Sequence, residues 1–166
     1  MKILETKRLI LRQFTIADAP FLLQLMNEPG FIQYVADRGL RTTADAAAFL
    51  SSKILPSYER YGFGFYRVEI KDSGAPIGMC GLIKRDMLDE VDIGFATLER
   101  YSGRGYTFEA SSAVFEYARS VLGLPAIVGL TAPDNKASQH LLQKLGLRFR
   151  ESIDLPGYGR ESFLFA

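Results

Sequence analysis

Cysteine and histidine are almost missing from this chain: its 166 residues hold one of each, Cys80 and His140. One cysteine excludes an internal disulfide and a cysteine metal cluster. One cysteine and one histidine together do not supply the several ligands of a metal site, so no metal is expected. Excess charge is missing too. Twenty basic residues against 19 acidic ones give a formal net charge of +1. A nucleic-acid binder would carry a basic excess or stripe, so no nucleic-acid partner is expected. No apolar run approaches the length of a membrane span, and residues 1–8 lack the apolar core of a signal peptide. These absences point to the cytoplasm and to no membrane partner. Internal repeats, linkers and low-complexity segments are also lacking. With 48% hydrophobic residues, the chain suffices for one domain with a proper core, and residues 1–166 are read as that domain.

What is present is an ordered series of strand and helix signals. Residues 8–14 form a β-rich run. Thr15 and Asp18 resemble a capping box ahead of a helix that turns Phe21, Leu22 and Leu25 inward and stops near Glu28-Pro29-Gly30. A second helix starts at Thr42 or Thr43 and buries Ala46, Phe49, Leu50 and Ile54. Pro56 should end or kink it. Residues 64–70 and 77–83 read as a hairpin around turn-forming residues 71–76. Gly78 and Gly81 in its second strand imply close backbone approach or a bulge.

The stretch from Val91 to Ala110 carries the densest signal. Val91, Ile93, Phe95 and Thr97 alternate with Asp92, Gly94 and Ala96, the period of a strand. Ser102-Gly-Arg-Gly105 cannot continue it. From Phe108 the apolar period is helical, with Phe108, Ser111, Phe115, Ala118 and Leu122 on one face. A Gly-rich turn feeding a helix N-terminus is an anion site, because free N–H groups and the positive dipole end converge there. This turn is read as the seat of a nucleotide-like pyrophosphate. Residues 126–131 form a wholly apolar, buried strand. Pro133-Asp134-Asn135 opens a helix with Ala137, Leu141, Leu142 and Leu145 inward, and residues 147–153 and 160–165 are two closing strands. The order predicts one mixed α/β domain: a mixed, mostly antiparallel sheet of about seven strands with about four helices, parallel only in its central part. A Rossmann reading fails, since only one Gly pair is present and no early βαβ unit surrounds it.

These residues resemble the GNAT superfamily of acyl-CoA-dependent N-acyltransferases, and within it the RimJ/RimL-type ribosomal-protein N-terminal acetyltransferases. The likeness rests on Glu5-Thr-Lys-Arg-Leu-Ile-Leu-Arg12, on Gly62-Phe-Gly-Phe65 through Ile77-Gly78, and on Asp92-Ile-Gly-Phe95. It continues through Gly103-Arg-Gly-Tyr106 with Glu109-Ala110, and Asp134-Asn-Lys-Ala-Ser138 with Lys144-Leu-Gly146. The family's Gln/Arg-x-x-Gly-x-Gly/Ala loop fits in two registers. Arg100-x-x-Gly103-x-Gly105 matches by letter. Setting Gly105-Tyr106-Thr107 on the last three positions places the helix start better, and makes Ser102 and Thr107 departures from the pattern.

The resemblance implies acetyl-CoA as co-substrate, held where the strand through Thr97 splays from the strand through Thr131. The acyl arm would pair with Phe95, Ala96 and Thr97. The pyrophosphate would meet Gly103, Arg104, Gly105, Tyr106, Thr107 and Phe108, with Asn135 also on the cofactor. The amide N–H of Phe95 would polarise the thioester carbonyl, and Ser138 would serve the leaving sulfur. The acceptor would be a primary amine, either a small molecule or a protein N-terminus, and the protein a monomer or homodimer. The attacking amine must be neutral. An α-amino group (pKa about 7.7–8.0) has a substantial neutral fraction at pH 7, and a lysine side chain (about 10.4) has almost none. A carboxylate base is therefore useful. Strand alternation puts Asp92 and Glu90 on one face as the two candidates. The acceptor site is expected between the first two helices and the loop 154–159, with Tyr34, Tyr58, Tyr61 and Tyr158 as walls. His140 is expected at the surface and Cys80 in the core. The alternative reading is a degenerate module that binds acyl-CoA or a peptide without catalysis.

Overall fold

The computed structural model describes residues 1–157 and 159–166. Tyr158, one of the expected pocket walls, lies outside the described residues. Among those described, eight strands form one sheet in the order β1-β2-β3-β4-β5-β6-β8-β7. They are β1 (Lys2–Glu5), β2 (Leu9–Gln13), β3 (Phe65–Ile70), β4 (Pro76–Ile83), β5 (Val91–Thr97), β6 (Ile127–Thr131), β7 (Phe149–Asp154) and β8 (Glu161–Phe165). Only β5 and β6 run parallel, because only there does a long helix, α5 (Tyr106–Ser120), carry the chain back across the sheet. The mixed, mostly antiparallel sheet is as expected, with one strand more: β1 precedes the predicted first strand and pairs with β2.

The helices number six rather than four among the described residues, and prolines explain the difference. α1 (Ala19–Met26) ends where expected, but Pro29 then opens α2 (Pro29–Tyr34) instead of only stopping a helix. Proline suits a first helical position because its missing N–H would have no partner there. The second predicted helix divides at Pro56. α3 (Thr43–Phe49) and α4 (Leu55–Tyr61) are joined by a π-helical stretch, Leu50–Ile54. That wider turn lies where the proline ring would meet the preceding turn's carbonyl and where its missing N–H breaks the ladder. α5 begins at Tyr106, and its buried face is Ala110, Ser111, Val114 and Ala118, not the Phe108–Phe115 line. α6 (Lys136–Lys144) buries Leu142 and leaves Ala137 exposed.

Both faces of the sheet centre are covered. On one side Leu9, Leu11, Val68, Leu82 and Ile93 pack on Val114 and Ala118 of α5. On the other, Phe14, Met79 and Leu98 pack on Leu22, Leu25, Ala46 and Leu50 of α1 to α4. β4, between them, is buried from Ile77 to Leu82. A Cβ on Gly81 would lie 2.1 Å from the Gly64 carbonyl oxygen, and one on Gly78 2.3 Å from that of Ala96. The close approach inferred from these two glycines is real.

A charge cluster ties α1 to the sheet. Arg12 donates to both Asp18 oxygens, Nη1 at 2.9 Å and Nη2 at 2.8 Å. Asp18 Oδ2 also accepts from the Thr15 N–H at 2.9 Å, the backbone half of the predicted capping box. Arg67 lies 3.6 Å from the same carboxylate and 2.6 Å from Glu69. Burial would raise the Asp18 pKa, but the Arg12 and Thr15 hydrogen bonds, with the charges of Arg12 and Arg67, hold it below the ordinary value. A lowered carboxyl pKa means stability that is present above the unfolded value and lost as pH falls through the folded one. Asp18→Ala removes the two-pronged partner of Arg12 and leaves both guanidinium groups to Glu69 alone, and is expected to cost about 2–3 kcal/mol in chemical denaturation at pH 7. The deficit should shrink as the parent protein is acidified.

Candidate active site

The site arises where the two central strands part. β5 and β6 pair only at Val91 with Ile127, Asp92 with Val128 and Ile93 with Gly129. Beyond Ile93, β5 continues against β4 as far as Thr97, while β6 turns to β8. α6 presses on β6 at the point of separation: a Cβ on Gly129 would lie 2.4 Å from Leu142 Cδ2. Strand parity decides which groups the gap exposes. The Leu98 N–H donates to the Ile77 carbonyl at 2.8 Å. Alternate residues of an antiparallel strand turn their backbone groups to the same neighbour. Phe95 and Thr97 therefore turn theirs away from β4, into the gap that β6 has left.

The loop after β5 is built by local hydrogen bonds and two glycines. The Ser102 hydroxyl donates to the Glu99 carbonyl at 2.6 Å. Gly103 and Gly105 have φ of +74° and +81°, left-handed values that a side chain would resist. Gly105 is the cap position of α5, so the register that sets Gly105-Tyr106-Thr107 on the loop pattern matches the helix start. The N–H groups of a helix's first turn have no partner within the helix. Thr107, the departure from the pattern, has its hydroxyl 2.7 Å from that of Thr97. One hydroxyl donates and the other keeps its own proton.

Arg8 braces this loop, a role the sequence reading did not assign. Its Nη1 donates to the Arg104 carbonyl at 3.0 Å, its Nε to Glu109 Oε1 at 2.7 Å, and its guanidinium lies 4.3 Å from the Tyr106 ring centre. Glu109 Oε2 also accepts from the Arg8 N–H at 2.9 Å and the Thr6 hydroxyl at 2.5 Å. Burial opposes ionisation of Glu109, yet these hydrogen bonds hold its pKa below the ordinary value. The signal was available, since Thr6, Arg8 and Glu109 all lie in the segments that carry the resemblance.

Two cavities open on the gap. A cleft of about 660 Å³ is lined by Phe95, Ala96, Thr97, Gly103, Gly105, Tyr106, Thr107, Phe108, Asn135 and Ser138. Every cofactor-binding residue expected from the sequence is therefore on one surface except Arg104. Arg104 lines neither cavity; its guanidinium lies 6.0 Å from the ring centre of Tyr101, which does line the cleft. Lys144, at the end of α6, lines the cleft with its Nζ 4.0 Å from the Phe108 ring centre.

The second cavity, about 450 Å³, lies on the side of α1 to α4 and is lined in part by Tyr34, Tyr61, Leu155, Arg160 and Asp92. The expected surroundings of an acceptor are thus present, with Tyr34 and Tyr61 as walls. Tyr58 is not one of them. Its hydroxyl donates to the Phe65 carbonyl and accepts from the Phe14 N–H at 3.1 Å, which makes it an internal strut. Phe95, Asn135 and Ser138 line both cavities, as do Phe31, Tyr34 and Val35 from the side of α2, so the two volumes meet there.

The two carboxylates part company. Asp92 is 3% exposed, with Arg85 Nε 3.1 Å from its Oδ2. Burial pushes its pKa up to about 6, against the lowering pull of Arg85 and the Leu130 backbone. Glu90 shares its strand parity but lines neither cavity. Just before β5 begins, it turns to β7 and accepts from Arg150 Nη2 at 3.0 Å. Asn135 Oδ1 accepts from the Ser138 N–H at 3.2 Å, the expected helix cap. The Ser138 hydroxyl has no hydrogen-bond partner among the described residues. Cys80 is 1% exposed beside Ser111, and burial raises its thiol to about 12, so it is a core residue. His140 is exposed at the rim of the cleft. Among the described residues no group of three or more His, Cys, Asp or Glu could hold a metal ion. No described helix is long and apolar enough to cross a membrane.

Residues 8–148 match the family model of the acetyltransferase (GNAT) domain. The chain is 27% identical to a Bacillus subtilis (strain 168) protein described as the uncharacterized N-acetyltransferase YnaD, over 86% of this chain and 81% of the relative. Its fold is similar to the crystal structure of the acetyltransferase from Agrobacterium tumefaciens str. C58, with a TM-score of 0.80, 25% identity and coverage of 99% and 92% of the two chains. It is also similar to RimL, a ribosomal L7/L12 alpha-N-protein acetyltransferase in complex with coenzyme A. That likeness has a TM-score of 0.82 at 17% identity, over 99% of this chain and 96% of the other.

Proposed function

The chain belongs to the GNAT acetyltransferase family, and from that premise we propose that it moves an acetyl group from acetyl-CoA directly to a primary amine. The acceptor is a small-molecule amine or a protein N-terminal α-amine; the shared fold with RimL supports the second possibility without choosing it. The observation that carries this reading is the meeting of the two cavities at Phe95, Asn135 and Ser138. One cavity has the loop for a coenzyme, the other has the carboxylate for an amine, and their shared wall is where a thioester would be attacked.

Acetyl-CoA, as co-substrate, supplies the activated thioester. The backbone groups of Phe95 and Thr97 pair with its amide-bearing arm as an added strand would, and the N–H groups from Gly103 to Phe108 hold the pyrophosphate. Asp92 takes the proton of the attacking ammonium, directly or through water, and its raised pKa sets it near the working pH. Glu90, drawn off by Arg150, is the weaker candidate. As nitrogen bonds to the carbonyl carbon, the Phe95 N–H stabilises the developing oxyanion. The carbon–sulfur bond then breaks, the Ser138 hydroxyl gives its proton to the departing thiolate, and the nitrogen returns its remaining surplus proton to Ser138 directly or through water, which leaves the amide and free coenzyme A. No covalent enzyme intermediate is involved. Residues 1–166 act as one domain in the cytoplasm, as a monomer or homodimer.

Ser138→Ala tests the shared wall. In a thiol-release assay it is expected to lower kcat at least about tenfold, as loss of a proton donor does. The Kd for coenzyme A should change far less, because Asn135 and the loop amides remain. Equal losses in both would reduce Ser138 to a packing residue.

A further inference from the structure

The charges around the acceptor cavity are strongly unbalanced. Five basic side chains line it, Arg38, Lys53, Lys84, Arg85 and Arg160, against one acidic side chain, Asp92. The whole chain is nearly balanced, with 20 basic and 19 acidic residues, so the excess belongs to this cavity and not to the composition. The five come from separate places along the chain: the segment after α2, the π-helical stretch before α4, the β4–β5 connection and the β7–β8 connection. Folding, not sequence proximity, brings them together.

Their present engagements divide them. Arg85 is paired with Asp92 at 3.1 Å. Lys84 Nζ donates to the carbonyls of Arg85, at 2.8 Å, and of Leu88. Carbonyl oxygens orient that ammonium but leave its charge in place. Lys53 and Arg160 make no ion pair with a described residue, and Lys53 is exposed at the cavity's edge. Two cations thus face a concave, partly apolar volume with no protein anion to meet them.

Resting on the acetyl-transfer reading above, we propose that the acceptor is a small primary amine that carries an anionic group, a carboxylate or a phosphate. The anionic group lies toward Lys53 and Arg160, and the amine lies toward Asp92 and Phe95, at the shared wall. The cavity's volume of about 450 Å³ is in the range of small-molecule sites. The charge works twice. It draws the anion in, and it disfavours the protonated form of the amine, since like charges nearby lower an ammonium pKa. A polyamine would meet repulsion from the same residues.

The test uses the full chain, acetyl-CoA and matched amines: γ-aminobutyrate and glutamate with their carboxamides, aminoethyl phosphate, putrescine, and short peptides with neutral or acidic second residues. Thiol release gives kcat/KM. Calorimetry on the coenzyme-A-saturated protein gives binding of the same amines. Anionic amines are expected to exceed their carboxamides at least about tenfold and putrescine about 100-fold, with the preference shrinking as ionic strength rises. The double variant Lys53→Gln/Arg160→Gln is expected to raise KM for the anionic amines about tenfold, with a smaller change in kcat. Carboxamides or putrescine used as well as the anionic amines would overturn the proposal. So would a preference that survives the double variant, or neutral-second-residue peptides preferred over every small amine. If no amine is turned over, the transfer reading fails, and the calorimetric preference still decides the anionic-ligand one.

Discussion

Gly105→Glu is expected to abolish coenzyme A binding, raising Kd beyond about 100-fold in calorimetry. Gly105 has φ of +81° at the cap of α5, the place where the proposed phosphate loop meets the helix N-terminus. A glutamate there places a carboxylate among the N–H groups that the pyrophosphate needs. Losing two charge-assisted hydrogen bonds at about 1.5 kcal/mol each already amounts to roughly 100-fold. Backbone strain adds to this, since a side chain in the left-handed region costs about 1–2 kcal/mol. Gly105→Ala separates the two effects. Its Cβ would lie 3.3 Å from Arg8 Nη2, a contact that a shift of a few tenths of an ångström relieves. Alanine brings no charge and should therefore weaken binding by no more than the roughly 5–30-fold to which that strain corresponds. If the glutamate variant folds and binds coenzyme A with unchanged affinity, the loop does not hold the pyrophosphate.

Asp92→Asn is expected to lower kcat by about 10²–10⁴-fold, the usual contribution of a positioned base. Affinity for coenzyme A should stay near that of the parent, because Asp92 lines the acceptor cavity and not the cofactor cleft. The parent's kcat should fall as pH drops through about 6, the value to which burial raises this carboxyl, and the variant should lack that limb. Stability moves the other way. The folded pKa lies above the ordinary 3.8, so the native state holds the proton more tightly than the unfolded chain does. The parent therefore loses stability as pH rises from about 4 to about 6, and the deficit is complete above that. Two pKa units correspond to about 3 kcal/mol. Urea titrations should show the variant gaining up to about that amount relative to the parent between pH 4 and pH 7, less what Arg85 loses with its partner. A slower but more stable enzyme is the signature of a buried carboxylate kept for chemistry. Unchanged turnover would remove Asp92 from the mechanism.

The candidate site was legible wherever it is made of consecutive residues. β5 was read from Val91 to Thr97 and is found there. Nine of the ten residues expected on the cofactor line one cleft, because a strand, a glycine turn and a helix start are all written in local spacing. Arg104 alone of the ten does not line it. Sequence says that a charge stands in the loop, but only the folded turn sets its guanidinium 6.0 Å from the Tyr101 ring centre. Asp92 and Glu90 share one strand parity, and parity alone could not separate them. Arg150, 60 residues away on β7, does so by pairing with Glu90.

By itself, then, the sequence determined the mixed sheet, the order of its elements, the glycine turn that opens α5 and the helix cap at Asn135. Each depends on periodicity, glycine conformations or hydrogen bonds that span a few residues. Only the tertiary structure decided where β5 parts from β6, that Arg8 braces the loop from more than 90 residues away, which carboxylate is buried, and that five basic residues from separate segments surround one cavity. These depend on distances between segments remote in the chain. Such distances are set by the packing of two helical layers on one twisted sheet, and no spacing along the chain encodes them.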